Sequence, residues 1–179
     1  MAFAGKWDEV AVIGLGSNVA FGALSGPDLL QAALAALDSQ GLNLISRSSD
    51  WRTQAWPDPR DSSFFNAVAI LDARGWTAQT CLQRLLAVEE RFGRTRGLRN
   101  APRTLDLDLL DFQGQVIEEV GLNLPHPRLI GRGFVLGPLA EIAPHWRHPI
   151  DGRTAAALYA ALNLGSVPEP AIDNIPPVV

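Results

Sequence analysis

The run Leu105-Asp106-Leu107-Asp108-Leu109 alternates apolar and acidic residues without a break. That is the two-residue period of a strand with one buried face. In this reading Leu105, Leu107 and Leu109 face a core, and Asp106 and Asp108 share the opposite face. Two residues of strand advance about 6.5–7 Å, so the two carboxylates stand side by side and aim into one volume. Anions so placed repel, and one tends to hold its proton unless a cation lies beside them. Mg²⁺ suits such a place, because it takes one or two carboxylates together with substrate phosphates. Arg103 stands just upstream, where it can meet an anion. The plain alternative is a solvated strand face with two incidental acids, and the rest of the chain has to decide between them.

A chain of 179 residues is expected to form one domain with a sizeable core. At 47% hydrophobic and 19% charged it has the make-up of a soluble globular protein. No apolar run is long enough to cross a bilayer, and Met1 to Val10 lacks the basic-then-apolar layout of a signal peptide. One cysteine, Cys81, excludes an internal disulfide and a Cys-rich zinc site. A cytoplasmic location is therefore expected. The net charge of −4 argues against a broad nucleic-acid surface. The placement of the positive charge says more than the sum. Fourteen of the fifteen basic residues are arginines, and Arg84, Arg91, Arg94, Arg96, Arg99 and Arg103 fall within twenty positions. The arginine fork suits phosphate and carboxylate. A coding bias can explain the total but not the clustering.

Taken in order, residues 1 to 8 read as a loose leader. Val10 to Gly16 reads as a buried strand running into a glycine turn. Val19 stands where a dinucleotide fingerprint needs its third glycine, and no lysine follows Lys6 to complete a P-loop. A helix is expected to open at Gly26-Pro27-Asp28 and close at Gly41. Leu42 to Thr53 reads as a second strand with Leu42, Leu44 and Ile45 inward, ending in a polar, proline-rich loop that carries Trp56. Trp51 and Trp56, beside that loop, are suited to stacking on a flat ligand. Phe64 to Leu71 is a third strand with Asn66 as its odd polar member. Thr77 is expected to cap a second helix with a stripe at Cys81, Leu82, Leu85, Leu86 and Val88, and Glu89 to Arg91 on its exposed part. A basic loop, Arg94 to Ala101, leads into the acidic strand. A hairpin is expected over Asp111 to Ile117, a short helical turn over Pro138 to Ile142, and a last helix over Thr154 to Leu162. The chain is thus read as one domain over residues 1–165, with a disordered tail over 166–179. The order β-α-β-β-α-β predicts an α+β, ferredoxin-like sandwich, its helices packed on a mostly antiparallel sheet, plus a C-terminal extension.

Ala101-Pro102-Arg103-Thr104-Leu105-Asp106-Leu107-Asp108-Leu109-Leu110 resembles the signature of the 6-hydroxymethyl-7,8-dihydropterin pyrophosphokinases of folate biosynthesis. Other pieces resemble that family in the same order: Gly14-Leu15-Gly16-Ser17-Asn18, Phe65-Asn66-Ala67-Val68, Gly93-Arg94-Thr95-Arg96, Pro125-His126, Arg132-Gly133-Phe134 and Glu141-Ile142-Ala143-Pro144. The resemblance covers about residues 10 to 150. It implies transfer of the β,γ-diphosphate of ATP to the pterin hydroxymethyl group, leaving AMP. It further implies two Mg²⁺ ions at Asp106 and Asp108, and charge neutralisation on the transferred group by Arg94 and Arg103, with Arg96 assisting. Glu89, His126 and Arg132 would lie on the nucleotide, and Thr53, Asn66 and Phe134 would line the pterin pocket, covered by Trp56. ATP and the hydroxymethyl dihydropterin are then the partners of a monomer, with no nucleic acid and no membrane. The chain departs from the family's common pattern at Asn100 and Pro127, where aromatic residues are frequent.

Two rival readings carry less. A nucleotidyltransferase places its Gly-Ser and Asp-x-Asp close in sequence, whereas Ser17 and Asp106 lie far apart. An RNA-binding module on the same layout reads bases with aromatic residues on its central strands, where this chain carries acids.

Overall fold

The computed structural model describes residues 2–54, 60, 62–94 and 104–163. The expected loop around Trp56, the arginine loop with Arg96, Asn100 and Arg103, and the expected tail lie outside the described residues.

The central strand is β1 (Val10–Ser17), hydrogen-bonded on both sides. It runs antiparallel to β4 (Phe64–Asp72) and to β5 (Asp106–Phe112). Beyond β4 lie β2 (Leu44–Arg47) and β3 (Trp51–Thr53). The order β2-β4-β1-β5, with every pair antiparallel, is that of the ferredoxin-like βαββαβ arrangement. Two crossings supply α1 (Gly26–Asp38) and α2 (Ala78–Arg91). Thr77 caps α2 as expected, through a reciprocal box with Thr80.

Alternation along the strands builds two cores. Ala11, Ile13 and Leu15 with Ala67, Ala69, Leu71, Leu105, Leu107 and Leu109 pack under α1 and α2. Val10, Val12, Val68, Ile70 and Leu110 point the other way. They are covered by the C-terminal extension, α3 (Gly133–Ile142) and α4 (Ala155–Asn163), with Trp146 between. A buried carboxylate pins that extension to β5: the Trp146 indole donates to Asp111 at 3.1 Å. The extension covers only half of its face. The bare half begins where β1 reaches Gly14 and Gly16.

Several local expectations are corrected. The leader is tied down: the Phe3 amide donates to the Ile142 carbonyl at 2.6 Å, and its ring meets Trp7 edge-on. The second strand is two strands. Ser48 sits at the break, where its hydroxyl accepts from the Val68 amide at 3.0 Å and replaces a ladder bond. Leu42 is buried, but Leu44 and Ile45 are exposed, because β2 is the edge of the sheet. The expected hairpin at Asp111 to Ile117 is only a turn at Gln113-Gly114, both at positive φ. The paired ribbon comes later, between β6 (Ile117–Glu119) and β7 (Leu122–Leu124). α3 begins at Gly133 rather than Pro138 and carries that proline inside it. Glu89 is 2% exposed rather than on the outer part of α2.

Candidate active site

The bare half of the sheet gathers most of the residues expected at the site. In register across the strands, Trp51 pairs with Asn66, Asn66 with Gly16, and Gly16 with Asp106. Gly14 pairs with Asp108 one step on. Directly paired residues put their side chains on one face. So Asn66, Asp106 and Asp108 all look out of the same side of the sheet. The leucines between the acids are buried on the other side, as the alternation requires.

Asp106 and Asp108 are each met by an arginine. Arg94, at the end of α2, reaches round the open edge of β5 and donates to Asp106 at 2.5 Å. The same guanidinium also donates to Glu89. Glu89 in turn accepts the Leu107 amide at 2.7 Å, capping an edge-strand N–H between the two acids. Burial pushes the Glu89 carboxyl up to about 7, with the charges of Asp106 and Asp108 adding to it, against the pull of the Leu107 amide and Arg94. Arg132, the cap residue of α3, donates to Asp108 at 3.4 Å and lies 5.6 Å over the ring of Phe134.

His126 arrives by a different route. Its amide donates to the Leu110 carbonyl at 2.8 Å, which ties the segment after β7 to the edge of β5. Its Nδ1 accepts the Arg128 amide at 3.1 Å, so in the neutral ring Nε2 carries the proton and is a donor. Desolvation lowers its pKa, as do Arg132 and Arg128, while Asp108 opposes them. The imidazole is therefore neutral at pH 7.

On the far side of β1, the buried Asn66 donates its amide to the Thr53 hydroxyl at 2.9 Å. That leaves the Asn66 carbonyl oxygen and the Thr53 O–H for a ligand with both donors and acceptors. Phe134 stands half-buried near the start of α3. Sequence reading left Phe64 without a role. It shares the face of Asn66 two residues on, and the period of two was the signal that would have found it. Trp51 does not stand free for stacking: it is half-buried and packs on α3. Trp56, Arg96 and Arg103 lie outside the described residues.

Among the described residues no three His, Cys, Asp or Glu side chains form a ready metal cage. The donor set at Asp106 and Asp108 is two carboxylates on one face of the sheet. That suits a hard cation that takes its remaining oxygens from water and phosphate, and it does not suit zinc.

A ferredoxin-like domain with paired acids and arginines along one sheet edge, and the polar pair Asn66 and Thr53 two strands away, fits an enzyme that handles a phosphorylated substrate. The comparisons with known proteins narrow the class. The family model described as 7,8-dihydro-6-hydroxymethylpterin-pyrophosphokinase matches residues 12–144, and the chain belongs to this family. A Synechocystis sp. 2-amino-4-hydroxy-6-hydroxymethyldihydropteridine pyrophosphokinase is 39% identical over 160 residues, 88% of this chain and 78% of its own. The enzyme of the same name from Methylorubrum extorquens is 38% identical, covering 86% of this chain and 93% of its own. Among solved structures, a Plasmodium falciparum HPPK-DHPS triple mutant superposes with a TM-score of 0.67 at 15% identity. It covers 86% of this chain, which spans only 44% of that longer one, and the likeness supports the fold.

Proposed function

We propose that this chain transfers the diphosphate of ATP to the hydroxymethyl group of 6-hydroxymethyl-7,8-dihydropterin, releasing AMP, and that the bare half of the sheet is where it does so. The observation that carries this reading is the row Asn66, Gly16, Asp106, which sets a polar pocket and an acid–arginine cluster side by side on one face. Asp106 and Asp108 would hold two Mg²⁺ ions, whose chemistry is to neutralise the triphosphate and orient it for in-line attack.

The chain's own residues do the rest. Arg94, with Arg96 and Arg103, meets the negative charge that builds on the transferred group. When Asp106 turns to a cation, Glu89 remains as a partner for Arg94, so the guanidinium stays at the β5 edge. Arg132 and the Nε2–H of His126 donate to the nucleotide phosphates. Asn66 and Thr53 read the edge of the pterin, and Phe134 and Phe64 offer ring faces to it. Trp56 covers the pocket and helps to exclude water, which would otherwise compete as acceptor. Residues 1–165 act as a single domain, a cytoplasmic monomer. Among the described residues no helix is long and apolar enough to cross a membrane.

The test is incubation with ATP, Mg²⁺ and the hydroxymethyl dihydropterin. AMP and pterin diphosphate are expected in equal amounts; ADP as the product would overturn the reading. Chelation of Mg²⁺ should stop the reaction, and elution at the mass of one chain in gel filtration is expected.

A further inference from the structure

One contact lies outside the machinery above, yet borders it. Glu141, in the last turn of α3, is exposed but accepts three hydrogen bonds from the segment leading into β3. The Ser49 amide donates at 2.8 Å, the Ser49 hydroxyl at 2.7 Å and the Trp51 indole N–H at 3.2 Å. The outer edge of the indole then lies against the helix at Gly137. A Cβ there would come within 2.4 Å of Trp51 Cη2 and 2.6 Å of Cζ3. The ring has little room to give way, since its N–H is held by Glu141 and Tyr159 meets it edge-on at 6.0 Å. Glycine is required at 137 by this close approach.

The spacing shows what the contact does. Phe134, Gly137 and Glu141 are three and four residues apart, one stripe of α3. Trp51 and Thr53 share one face of β3. Strand and stripe therefore run along each other: Ser49 meets Glu141, Trp51 meets Gly137, and the next step brings Thr53 to the level of Phe134. At the first two steps the gap between β3 and α3 is shut. At the third stand the buried Thr53 and Asn66 and the half-buried Phe134.

We propose that Trp51, seated on Gly137 and held by Glu141, is the floor of the slot between β3 and α3, and sets how deeply and how widely a flat heterocycle can enter. The proposal rests on the reading of Thr53, Asn66 and Phe134 as the walls that face the pterin. Trp51 and Glu141 are positioning residues, acting through the separation of the two elements. The Arg94 side of the site, across β1, is untouched by them, whereas Arg132, which meets Asp108, caps the same helix.

Gly137→Ala inserts a methyl under the ring and should force the slot apart. The expected result is a rise of about tenfold in KM for the pterin, and in its Kd measured without ATP, with a much smaller rise in KM for ATP through Arg132, which caps the same helix. Trp51→Phe in the same chain removes the atoms that the methyl strikes and should recover most of the loss. Glu141→Leu, of similar size and without an acceptor, frees the indole and should raise the pterin KM about threefold; it carries the test if Gly137→Ala does not fold, as judged by circular dichroism. An unchanged pterin KM in the folded variants, a parallel rise for ATP, or no recovery in the double variant would each overturn the floor and leave only a structural latch. Asn66→Ala, measured beside them, separates the two ideas. Loss of pterin binding there with none in Gly137→Ala removes the floor alone. No loss in either removes the pocket assignment and the floor with it.

Discussion

The two faces of one sheet were given opposite tasks by the same strands. Under α1 and α2 the central strands β1, β4 and β5 present an almost wholly apolar and buried face, with Ser17 as the buried exception at the end of β1. On the other side the same alternation runs through Val12, Ile70 and Leu110 and then changes to Asn66, Asp106 and Asp108, where the C-terminal extension stops covering it. The first face gains stability by excluding water from every position. The second gives up part of that gain by carrying carboxylates and an amide, at the place where the proposed function puts the ligands. Stability and chemistry are thus divided by face, and within the second face by how far α3 and α4 extend.

If the division is real, mutations should sort by face. The largest effect is expected at the acids: Asp106→Ala or Asp108→Ala should lower kcat by about 10³-fold or more while the melting temperature hardly changes. Normal turnover in both would return these acids to a solvated surface. Arg94→Ala should lower kcat by about 10²–10³-fold with KM for either substrate little altered; a defect confined to KM would make Arg94 a binding residue only. Across the sheet, Ile13→Ala should remove about 3 kcal/mol of stability in urea titration and leave KM where it was.

Glu89 lies between these extremes. In the folded protein its carboxyl titrates near 7, above its ordinary 4.5. The folded chain therefore holds the extra proton between those values, and its stability falls as pH rises through that window, by on the order of 3 kcal/mol. Glu89→Gln should abolish that slope in protein free of Mg²⁺ and nucleotide; an unchanged slope would place its cause elsewhere. The smallest effect is expected at Thr77→Ala, which removes the α2 cap, at about 1 kcal/mol of stability and no cost in kcat.

What could be read from the sequence follows the same division. β1, β4 and β5 were legible because alternation and glycine turns are local signals, and the acids came with them. The end of α2 was misread at Glu89, since a carboxylate is buried only when a partner such as the Leu107 amide is there to meet it. The break between β2 and β3 was invisible because Ser48 replaces a backbone bond with its own hydroxyl. The covering of the second face was open too: α3 and α4 find their place through contacts such as Trp146 to Asp111, 35 residues apart. Trp51 looked like a free stacking residue because its partner, Glu141, stands 90 positions away.

Gly16 gives the site its scale. It separates Asn66 from Asp106 by two strand spacings, about 9.6 Å. A methyl on Gly16 would sit 3.5 Å from the Asn66 side-chain oxygen and 3.8 Å from Asp106 Cβ, ordinary contacts that the fold would accept. The residue is bare for the sake of the reactants rather than the chain. In the proposed reaction, acceptor and donor would approach each other across Gly16, and the sheet would serve as a ruler with one strand left unmarked between them.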